Sequence, residues 1–319
     1  MQHSEELTNR LKKQFAKVSK WAKKDAITCF RVYEKDLPNY PLIVDWYQDE
    51  AVVWLYPRTR DDTPELQEAF KQHVIASLLT ALNISKDQLH IKQRSVQKGL
   101  TTQYTKLDTQ KNEKIILERG LKFEVNLTDY VDTGLFLDHR NTRKLCKELS
   151  KGKRVLNLFA YTGSFTCYAL AGGAVATTTV DLNKNYIEWA KRNVQLNRFK
   201  VREADQFIAD NCLSFIKLDA AKNRYDLIIC DPPTFSNSKK MKGPFSIDTD
   251  YVDLIKSCAK LLSDDGILLF STNSRGFKLD EACFANKLMI KEISHKTVPN
   301  DFRNQKIHRC WQIQKGPQH

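Results

Sequence analysis

Apolar residues recur at intervals of three and four along the first 25 residues of the chain. Their positions are Leu7, Leu11, Phe15, Val18 and Trp21. Because an α-helix completes a turn every ~3.6 residues, this spacing predicts an amphipathic helix with a single apolar stripe. The face opposite that stripe is basic.

After Asp25 the pattern changes to short runs of aromatic and β-branched residues, separated by polar turns and prolines. Such runs predict strands. They lie at 28–33, 42–47 and 51–56. Extended sequence also follows around 90–94 and 114–117.

A helix is predicted over 66–82, because Thr63 can cap it and Pro64 is favoured at the first helical position. Together these elements predict a smaller α+β domain over residues 1–120. Its sequence contains no recognisable acid–base pair, nucleophile or phosphate loop. We therefore do not expect this domain to carry the chemistry.

From about Leu121 strands and helices alternate, which is typical of a doubly wound α/β domain. The predicted strands are 154–159, 176–180, 225–230 and 266–271, and the predicted helices are 165–171, 186–196 and 251–262. The fold class is therefore α/β, with a Rossmann-like sheet over residues 121–319. Ligands of such sheets bind outside the carboxyl ends of the strands, so residues 159–163, Asp181, Asp231 and residues 271–273 should meet at one crevice.

The turn after the first of these strands contains Gly163, and the next strand ends in Asp181. Glycine allows a ligand to approach the backbone, and an acid ~20 residues further on can accept hydrogen bonds from both ribose hydroxyls. The full G-x-G-x-x-G pattern is absent, which disfavours a nicotinamide dehydrogenase. S-adenosylmethionine has no phosphate, so we predict it as the cofactor of a class I methyltransferase. Alternatively, Gly163 is only a turn residue and Asp181 only a strand terminator.

The sequence Asp231-Pro-Pro-Thr-Phe235 follows an apolar strand directly. Tandem prolines stop the strand and fix the backbone, so that carbonyl groups can project into the crevice. Many S-adenosylmethionine enzymes use an acid, two prolines and an aromatic or small residue to hold a flipped-out base. We therefore predict Asp231, Pro232, Pro233, Thr234 and Phe235 as catalytic residues. A rigid surface turn is the alternative interpretation.

The chain has 319 residues and a formal net charge of +13. Either a solubilising surface or a polyanionic partner would explain this excess. Three basic stretches, at 10–17, 92–98 and 303–309, favour nucleic acid.

The eight cysteines lie singly, without a CxxC pair, and most fall in apolar stretches. We expect buried thiols, and no metal, rather than disulfides or zinc. No apolar run approaches the ~20 residues of a membrane span. We therefore expect a cytoplasmic protein that does not associate with membranes.

The motifs also resemble those of the RlmK-type 23S ribosomal RNA methyltransferases, which form the second half of a fused RlmKL protein in some bacteria. They are NLTDYVDTGLFLDHR (126–140), NLFAYTGSF (157–165), DPPTFSNSKK (231–240), RGF (275–277), DFRNQKIHRCW (301–311), KG (98–99) and QYTKL (103–107). The resemblance covers nearly the whole chain. It implies methylation of N7 of a guanine in the peptidyl-transferase domain, with 23S RNA or a precursor large-subunit particle as partner.

Guanine N7 has a free lone pair and loses no proton on methylation, so this reaction needs alignment rather than a general base. Methylation of cytosine C5 would need a cysteine nucleophile beyond the last core strand, and residues 270–275 contain none. An exocyclic-amine methyltransferase remains an alternative, as does an RNA-binding assembly factor without activity.

The resemblance and the crevice together predict the residues that bind the cofactor. They are Asp138, Arg140, Asn157, Phe159, Ala160, Tyr161, Thr162, Gly163, Ser164, Asp181, Leu182, Asp210, Asn211 and Asp231. Either Asn211, which stands where the family has an acid, or Asp210 contacts the adenine.

Asp138 and Arg140 either close over the methionine end of the cofactor or pair with each other at a helix start. Lys239 and Lys240 are expected to contact RNA. His308 and Trp311 serve packing as readily as stacking, so neither is predicted to be catalytic.

Overall fold

A computed structural model describes residues 2–58, 63–93, 113–129, 132–219, 225–237, 243–284 and 287–316. Several predicted features lie outside these residues, namely positions 94–98, the segment 103–107, and the pair Lys239 and Lys240. The chain forms two compact units. The first unit comprises Met1–Thr133 and Asn300–Asn304, and the second comprises Gly134–Pro299 and Gln305–His319.

The first unit contains a four-stranded sheet, two helices and a separate strand pair. In chain order its elements are α1 (Gln2–Lys24), β1 (Cys29–Glu34), β2 (Leu42–Tyr47), β3 (Glu50–Leu55), α2 (Pro64–Leu82), a 3₁₀ turn (Lys86–Gln88), β4 (Leu89–Gln93), β5 (Glu113–Glu118) and β6 (Leu121–Asn126). The sheet has the order β1-β2-β3-β4, and only β3 and β4 are parallel.

Both helices of the first unit form where the sequence predicts them. Leu7 and Leu11 of α1 are fully buried, as the apolar stripe requires. At the start of α2, Thr63 Oγ1 accepts a hydrogen bond from the backbone N–H of Leu66, and Pro64 begins the helix. Asn83 ends α2 in a left-handed conformation.

The second unit is built from the predicted alternation of strands and helices. Its elements are a 3₁₀ turn (Leu137–His139), α3 (Arg140–Leu149), β7 (Arg154–Leu158), α4 (Ser164–Ala171), β8 (Ala176–Asp181), α5 (Lys184–Leu196), β9 (Gln206–Ala209), α6 (Cys212–Asp219), β10 (Tyr225–Cys230), β11 (Phe235–Ser236), β12 (Phe245–Ser246), α7 (Ile247–Leu261), β13 (Leu262–Thr272), a 3₁₀ turn (Glu281–Phe284), β14 (Leu288–Glu292), α8 (Ser294–Thr297) and β15 (Arg309–Lys315).

Seven of these strands form one sheet in the order β14-β15-β13-β10-β7-β8-β9. Five neighbouring strands of this sheet are parallel, namely β13, β10, β7, β8 and β9. Strand β15 runs antiparallel between β13 and β14. The chain adds β8 and β9 on one side of β7 and returns on the other side with β10. This reversal places a topological switch point between β7 and β10. The predicted Rossmann-like fold is confirmed.

Apolar layers cover both faces of this sheet, which explains why its central strands are apolar at almost every position. Leu156 and Ile228 belong to one core cluster, whereas Val155 and Ile229 belong to the other. Seven of the eight cysteines are buried and Cys283 is half-buried. Among the described helices, none combines the length and apolarity that a membrane span requires.

Candidate active site

The loop after β7 crosses the switch point in an unusual backbone conformation. Phe159 and Tyr161 have positive φ angles of 53° and 50°. Residues other than glycine adopt such angles rarely, and mostly where surrounding contacts demand them. Those contacts come from the end of β8, because Ala160 N donates to Val180 O at 3.0 Å and Tyr161 N donates to Asp181 Oδ2 at 2.9 Å.

Gly163 ends this loop and precedes Ser164, the first residue of α4. Its φ is +71°, and a Cβ atom added there would lie 2.5 Å from Cβ of Ala190 on α5. Glycine is therefore required twice, by the backbone angle and by the packing of α5 against the loop. The close approach that the structure shows at Gly163 is to this helix.

Asp181 is the last residue of β8, and both of its carboxylate oxygens accept hydrogen bonds from the backbone. Oδ2 accepts from Tyr161 N, and Oδ1 accepts from Asn183 N at 2.9 Å. Burial raises the pKa of this carboxyl to about 6, although the two backbone hydrogen bonds act in the opposite direction. Each oxygen has a second lone pair, so Asp181 can still accept hydrogen bonds from a ligand. The following residue, Leu182, is half-buried.

Two predicted cofactor residues have side chains that are engaged within the protein. Asn157 is buried and its Nδ2 donates to Thr166 Oγ1 at 3.0 Å. Thr162 is also buried, and its hydroxyl donates to Gly134 O at 2.6 Å while its carbonyl accepts from Asn193 Nδ2. These hydrogen bonds fix the conformation of the loop after β7 from its buried side. A direct contact of either side chain with the cofactor stays a prediction.

Asp210 and Asn211 lie between β9 and α6, and their side chains have different tasks. Asn211 Oδ1 accepts from Leu213 N at 2.9 Å and thereby caps α6. Asp210 is exposed, and its Oδ1 accepts from Asn211 N at 2.7 Å. The amide oxygen of Asn211 thus has one lone pair left, whereas the exposed carboxylate of Asp210 has more acceptor positions free.

A cavity of about 260 Å³ adjoins this segment. Its lining residues are Asn211, Leu213, Ser214, Lys217, Gly243, Pro244, Phe245 and Asp250. Polar and apolar groups are mixed in this lining. Such a surface suits a planar heterocycle with a polar edge.

Asp231 follows β10 and contacts side chains from two other segments. Its Oδ1 accepts a hydrogen bond from Ser271 Oγ, at the end of β13, at 2.6 Å. Its Oδ2 lies 3.4 Å from Nε2 of His139, which comes from the 3₁₀ turn before α3. The carboxylate is therefore hydrogen-bonded through Oδ1, and its Oδ2 lies beside an imidazole nitrogen.

The remaining residues of the predicted catalytic motif, 232–235, form a turn that is hydrogen-bonded to neighbouring segments. Pro232 is buried and Pro233 half-buried. Thr234 Oγ1 donates to Asn273 Oδ1 at 2.8 Å, and Thr234 O accepts from Ile247 N at the start of α7. Phe235 begins β11, which pairs with β12. The turn is thus hydrogen-bonded both to the segment after β13 and to the start of α7.

A pair of histidines lies behind Asp231. The rings of His139 and His308 stack with centroids 4.3 Å apart and an interplanar angle of 9°. His308 Nδ1 lies 3.0 Å from Asp138 Oδ2, and its Nε2 lies 2.9 Å from Thr297 Oγ1. Burial lowers the pKa of His139, with Asp231 and Asp138 acting against this effect and His308 with it. The net effect disfavours the charged imidazolium form of His139.

Asp138 is therefore paired with a histidine, and Arg140 at the start of α3 has a completely buried side chain. Closure of these two residues over the methionine end stays a prediction. Trp311 is a core residue, since its ring packs against Phe270 and Phe277.

Asp138, His139 and His308 bring three possible metal-ligand atoms within 4.8 Å of one another. In parallel stacked rings, however, the in-plane lone pairs of the nitrogen atoms point alongside each other and not at a common centre. This geometry favours a hydrogen-bonded histidine pair over a tetrahedral zinc site.

Sequence reasoning did not select His139, and it noted Ser271 only as part of a strand end. A signal was available for each. His139 lies inside the motif that supplied Asp138 and Arg140, and Ser271 ends a strand next to the one that precedes Asp231.

No cysteine is placed to attack a pyrimidine ring among the described residues near Asp231. Cys230 is fully buried, and burial raises its pKa well above the ordinary value. Cys310 pairs with Ser271 across β13 and β15, and burial also raises its pKa. A thiol that stays protonated is a poor nucleophile.

The strand order, with one antiparallel strand next to the edge, and the acids at the ends of β8 and β10 define a nucleoside-binding methyltransferase of the Rossmann-like class. The chain belongs to the S-adenosylmethionine-dependent methyltransferase family, whose sequence profile matches residues 31–293. S-adenosylmethionine is accordingly its cofactor.

Two curated relatives are similar over almost the whole chain. The ribosomal RNA large subunit methyltransferase K of Neisseria meningitidis serogroup B is 45% identical over 311 residues, which are 96% of this chain and 86% of the relative. The ribosomal RNA large subunit methyltransferase K/L of Vibrio cholerae is 46% identical over 310 residues. This chain spans only 43% of the length of that second relative.

Solved structures share the fold at lower identity. SMU.776, a methyltransferase solved in complex with SAH, has a TM-score of 0.77 and 23% identity, with 97% of this chain and 81% of that chain covered. A SAM-dependent methyltransferase from Streptococcus mutans has a TM-score of 0.75 and 22% identity, with the same coverage.

Proposed function

We propose that this protein methylates N7 of a guanine in the peptidyl-transferase domain of 23S ribosomal RNA, in the cytoplasm. The observation that carries this proposal is the similarity to the ribosomal RNA large subunit methyltransferase K of Neisseria meningitidis, which extends over most of both chains. The motifs that contain Asp138 and Asp231 meet in one site, which supports the same activity.

The residues of the crevice fit S-adenosylmethionine. Asp181 has acceptor capacity left for the ribose hydroxyls, and the loop from Phe159 to Gly163 would face the methionine end. We assign the adenine amino group to Asp210, because its exposed carboxylate has more free acceptor positions than the amide oxygen of Asn211, which caps α6. When bound, this cofactor supplies a methyl group on a sulfonium centre.

The surroundings of Asp231 suit an acceptor nitrogen that loses no proton. Ser271 donates a hydrogen bond to the carboxylate and His139 lies beside it, so the negative charge has a defined position. The guanine ring gains positive charge as N7 is methylated, and a fixed carboxylate offsets that charge. Phe235 and the proline pair would bracket the base.

An exocyclic-amine methyltransferase is a second candidate, favoured by the same carboxylate. Asp231 could accept a hydrogen bond from the amino group of a guanine and align its nitrogen. The two candidates differ in their product, because N7-methylguanosine is labile to alkali and N2-methylguanosine is not.

The proposal is tested by transfer of a labelled methyl group from S-adenosylmethionine to naked 23S RNA and to precursor large-subunit particles in parallel. We expect one alkali-labile methylguanosine in at least one of the two substrates. An alkali-stable product would favour the amine, and a wild-type protein that binds RNA without any transfer would favour an assembly factor.

A deletion strain provides an independent measurement. Mass mapping of its 23S RNA should show the loss of one N7-methylguanosine, restored by the wild-type gene but not by an Asp231→Asn variant. An unchanged RNA would contradict the proposal. We assign RNA positioning to the first domain, predicted over residues 1–120.

A further inference from the structure

The long helix α1 has two faces of opposite character. Leu7, Leu11 and Ala22 are buried against the first unit, and Phe15 packs edge-on against Trp46 with ring centroids 4.8 Å apart. The exposed face carries lysines. They are Lys12, Lys13, Lys17, Lys20, Lys23 and Lys24.

None of these six lysines has a salt bridge or hydrogen bond with another residue that the structure describes. Several other lysines of the molecule do have acidic partners. Lys71 pairs with Glu68, Lys144 with Glu148, Lys191 with Glu188 and Lys315 with Asp264. On α1 itself, Arg10 is satisfied by Asp36.

Four of the lysines lie in one row. At about 100° per residue, Lys13, Lys17, Lys20 and Lys24 fall within roughly 60° of each other around the helix and extend over about 16 Å of its length. Neighbours in this row are three or four residues apart, so the like charges repel each other and weaken the isolated helix. An uncompensated row of point charges of this length is complementary to a chain of phosphates.

A basic amphipathic helix can also bind membranes, but it does so by inserting its apolar face. The apolar face of α1 is already buried, with Leu7 and Leu11 fully inaccessible. A partner must therefore be held by charge alone. Since the helix cannot supply apolar anchors, nucleic acid fits this surface better than a lipid bilayer.

We infer that the row formed by Lys13, Lys17, Lys20 and Lys24 is a docking surface for the phosphate backbone of the ribosomal RNA substrate. This inference rests on the proposed function for the identity of the RNA. The row contacts phosphates and not bases, so it adds affinity and orientation without reading sequence.

The test replaces the four lysines together by glutamine in the 319-residue chain. Glutamine has a helix propensity close to that of lysine, so the fold should be kept. Binding of transcribed 23S RNA is measured between 50 and 300 mM KCl. Each phosphate contact contributes ~0.7–0.9 to the slope of log affinity against log salt, so we expect the slope to fall by roughly three.

The matched control removes the same charge elsewhere, through Lys71→Gln, Lys144→Gln, Lys191→Gln and Lys315→Gln. A second control replaces the row by arginine, which keeps the charge. Both controls should keep the wild-type slope. A slope that is unchanged in the α1 variant, or that falls equally in the first control, would overturn the inference.

Methyl transfer separates this inference from the proposed function. In the α1 variant we expect a raised KM for RNA and unchanged affinity for S-adenosylmethionine. If the wild type methylates 23S RNA but the α1 variant keeps the wild-type salt slope, only the docking surface is refuted. Absence of transfer in the wild type would refute the function, while the salt slope would still report on the row. Binding to anionic phospholipid vesicles that the α1 variant loses would assign the row to membranes instead.

Discussion

The two ends of the crevice are built in different ways. At the cofactor end, backbone groups make the decisive bonds, and Tyr161 and Asp181 are only 20 residues apart in the chain. At the target end, side chains from distant segments meet. Ser271 is 40 residues from Asp231, and His139 comes from the 3₁₀ turn before α3, far earlier in the chain.

This difference predicts how each end tolerates change. The cofactor loop is held by backbone hydrogen bonds, so it is most sensitive to substitution of its glycine and of the carboxylate that accepts those bonds. The target end is held by side-chain hydrogen bonds, so a single substitution can remove one donor and leave the others in place. Substitutions at the cofactor end should therefore affect cofactor affinity and stability, whereas those at the target end should affect the rate of transfer.

The largest effect is expected for Asp231→Asn, which keeps the shape of the side chain and removes its charge. We expect kcat to fall on the order of 100-fold or more, because the charge acts on the transition state. The dissociation constant for S-adenosylmethionine, measured by calorimetry, should rise much less than kcat falls, although Asp231 is also predicted to contact the cofactor. An equal loss in cofactor affinity would remove the distinction between the two ends.

Asp181→Ala tests the opposite end. It removes acceptors for the ribose and the anchor of Tyr161, and hydrogen bonds to a charged group are each worth about 1.5–3 kcal/mol. We expect cofactor affinity to fall at least ~100-fold, while RNA binding in the absence of cofactor is unaltered. Asp181→Asn should lie between the wild type and the alanine variant. Retained affinity in the alanine variant would place the ribose elsewhere.

Gly163→Ala combines an unfavourable φ with a clash against Ala190, so we expect a loss of about 2–4 kcal/mol in the free energy of unfolding. Gly152→Ala is the matched control, because its φ is +70° and no atom lies within 4 Å of the added Cβ. Denaturant unfolding of both should show the larger loss at Gly163. Equal losses of unfolding free energy in the two variants would mean that α5 moves to accommodate the added methyl group at no cost.

Ser271→Ala removes the 2.6 Å donor to Asp231 and should lower kcat about tenfold. His139→Phe keeps a ring that can stack on His308 but no polar nitrogen at Asp231, and we expect a smaller loss, since the separation is 3.4 Å. Single-turnover rates at saturating cofactor would measure both. A larger effect on cofactor affinity than on rate would show that Asp231 belongs to the cofactor end.

The smallest effect concerns pH. Asp181 has a pKa raised to about 6, so its ionised form is disfavoured in the folded protein. The contribution of Asp181 to the free energy of unfolding is therefore largest below the ordinary pKa of an aspartate, and it declines as the pH rises to about 6. Cofactor affinity should change in the opposite sense and weaken about twofold from pH 8 to pH 6. This dependence should vanish in Asp181→Asn, and its persistence there would point to another group.

Much of the second unit was predictable because its strands and helices are encoded locally. The strands that carry Asp181 and Asp231 were predicted within one residue at their carboxyl ends. Helix α7 begins at Ile247, earlier than predicted, where Asp248 and Asp250 favour its first turn. The strands β9, β14 and β15 were not predicted, because β9 is short and the other two complete the sheet only through antiparallel pairing at its edge.

The sequence by itself determined the class of fold, the cofactor and the acids at two strand ends, since hydrophobic periodicity and position along a strand are local properties. Only the tertiary structure decided that Ser271 bonds to Asp231 beside His139, that Asn211 caps a helix, and that six lysines of α1 have no ion-pair or hydrogen-bond partner within the part of the chain that the structure describes. These features depend on distances between residues far apart in the chain, which no local pattern encodes.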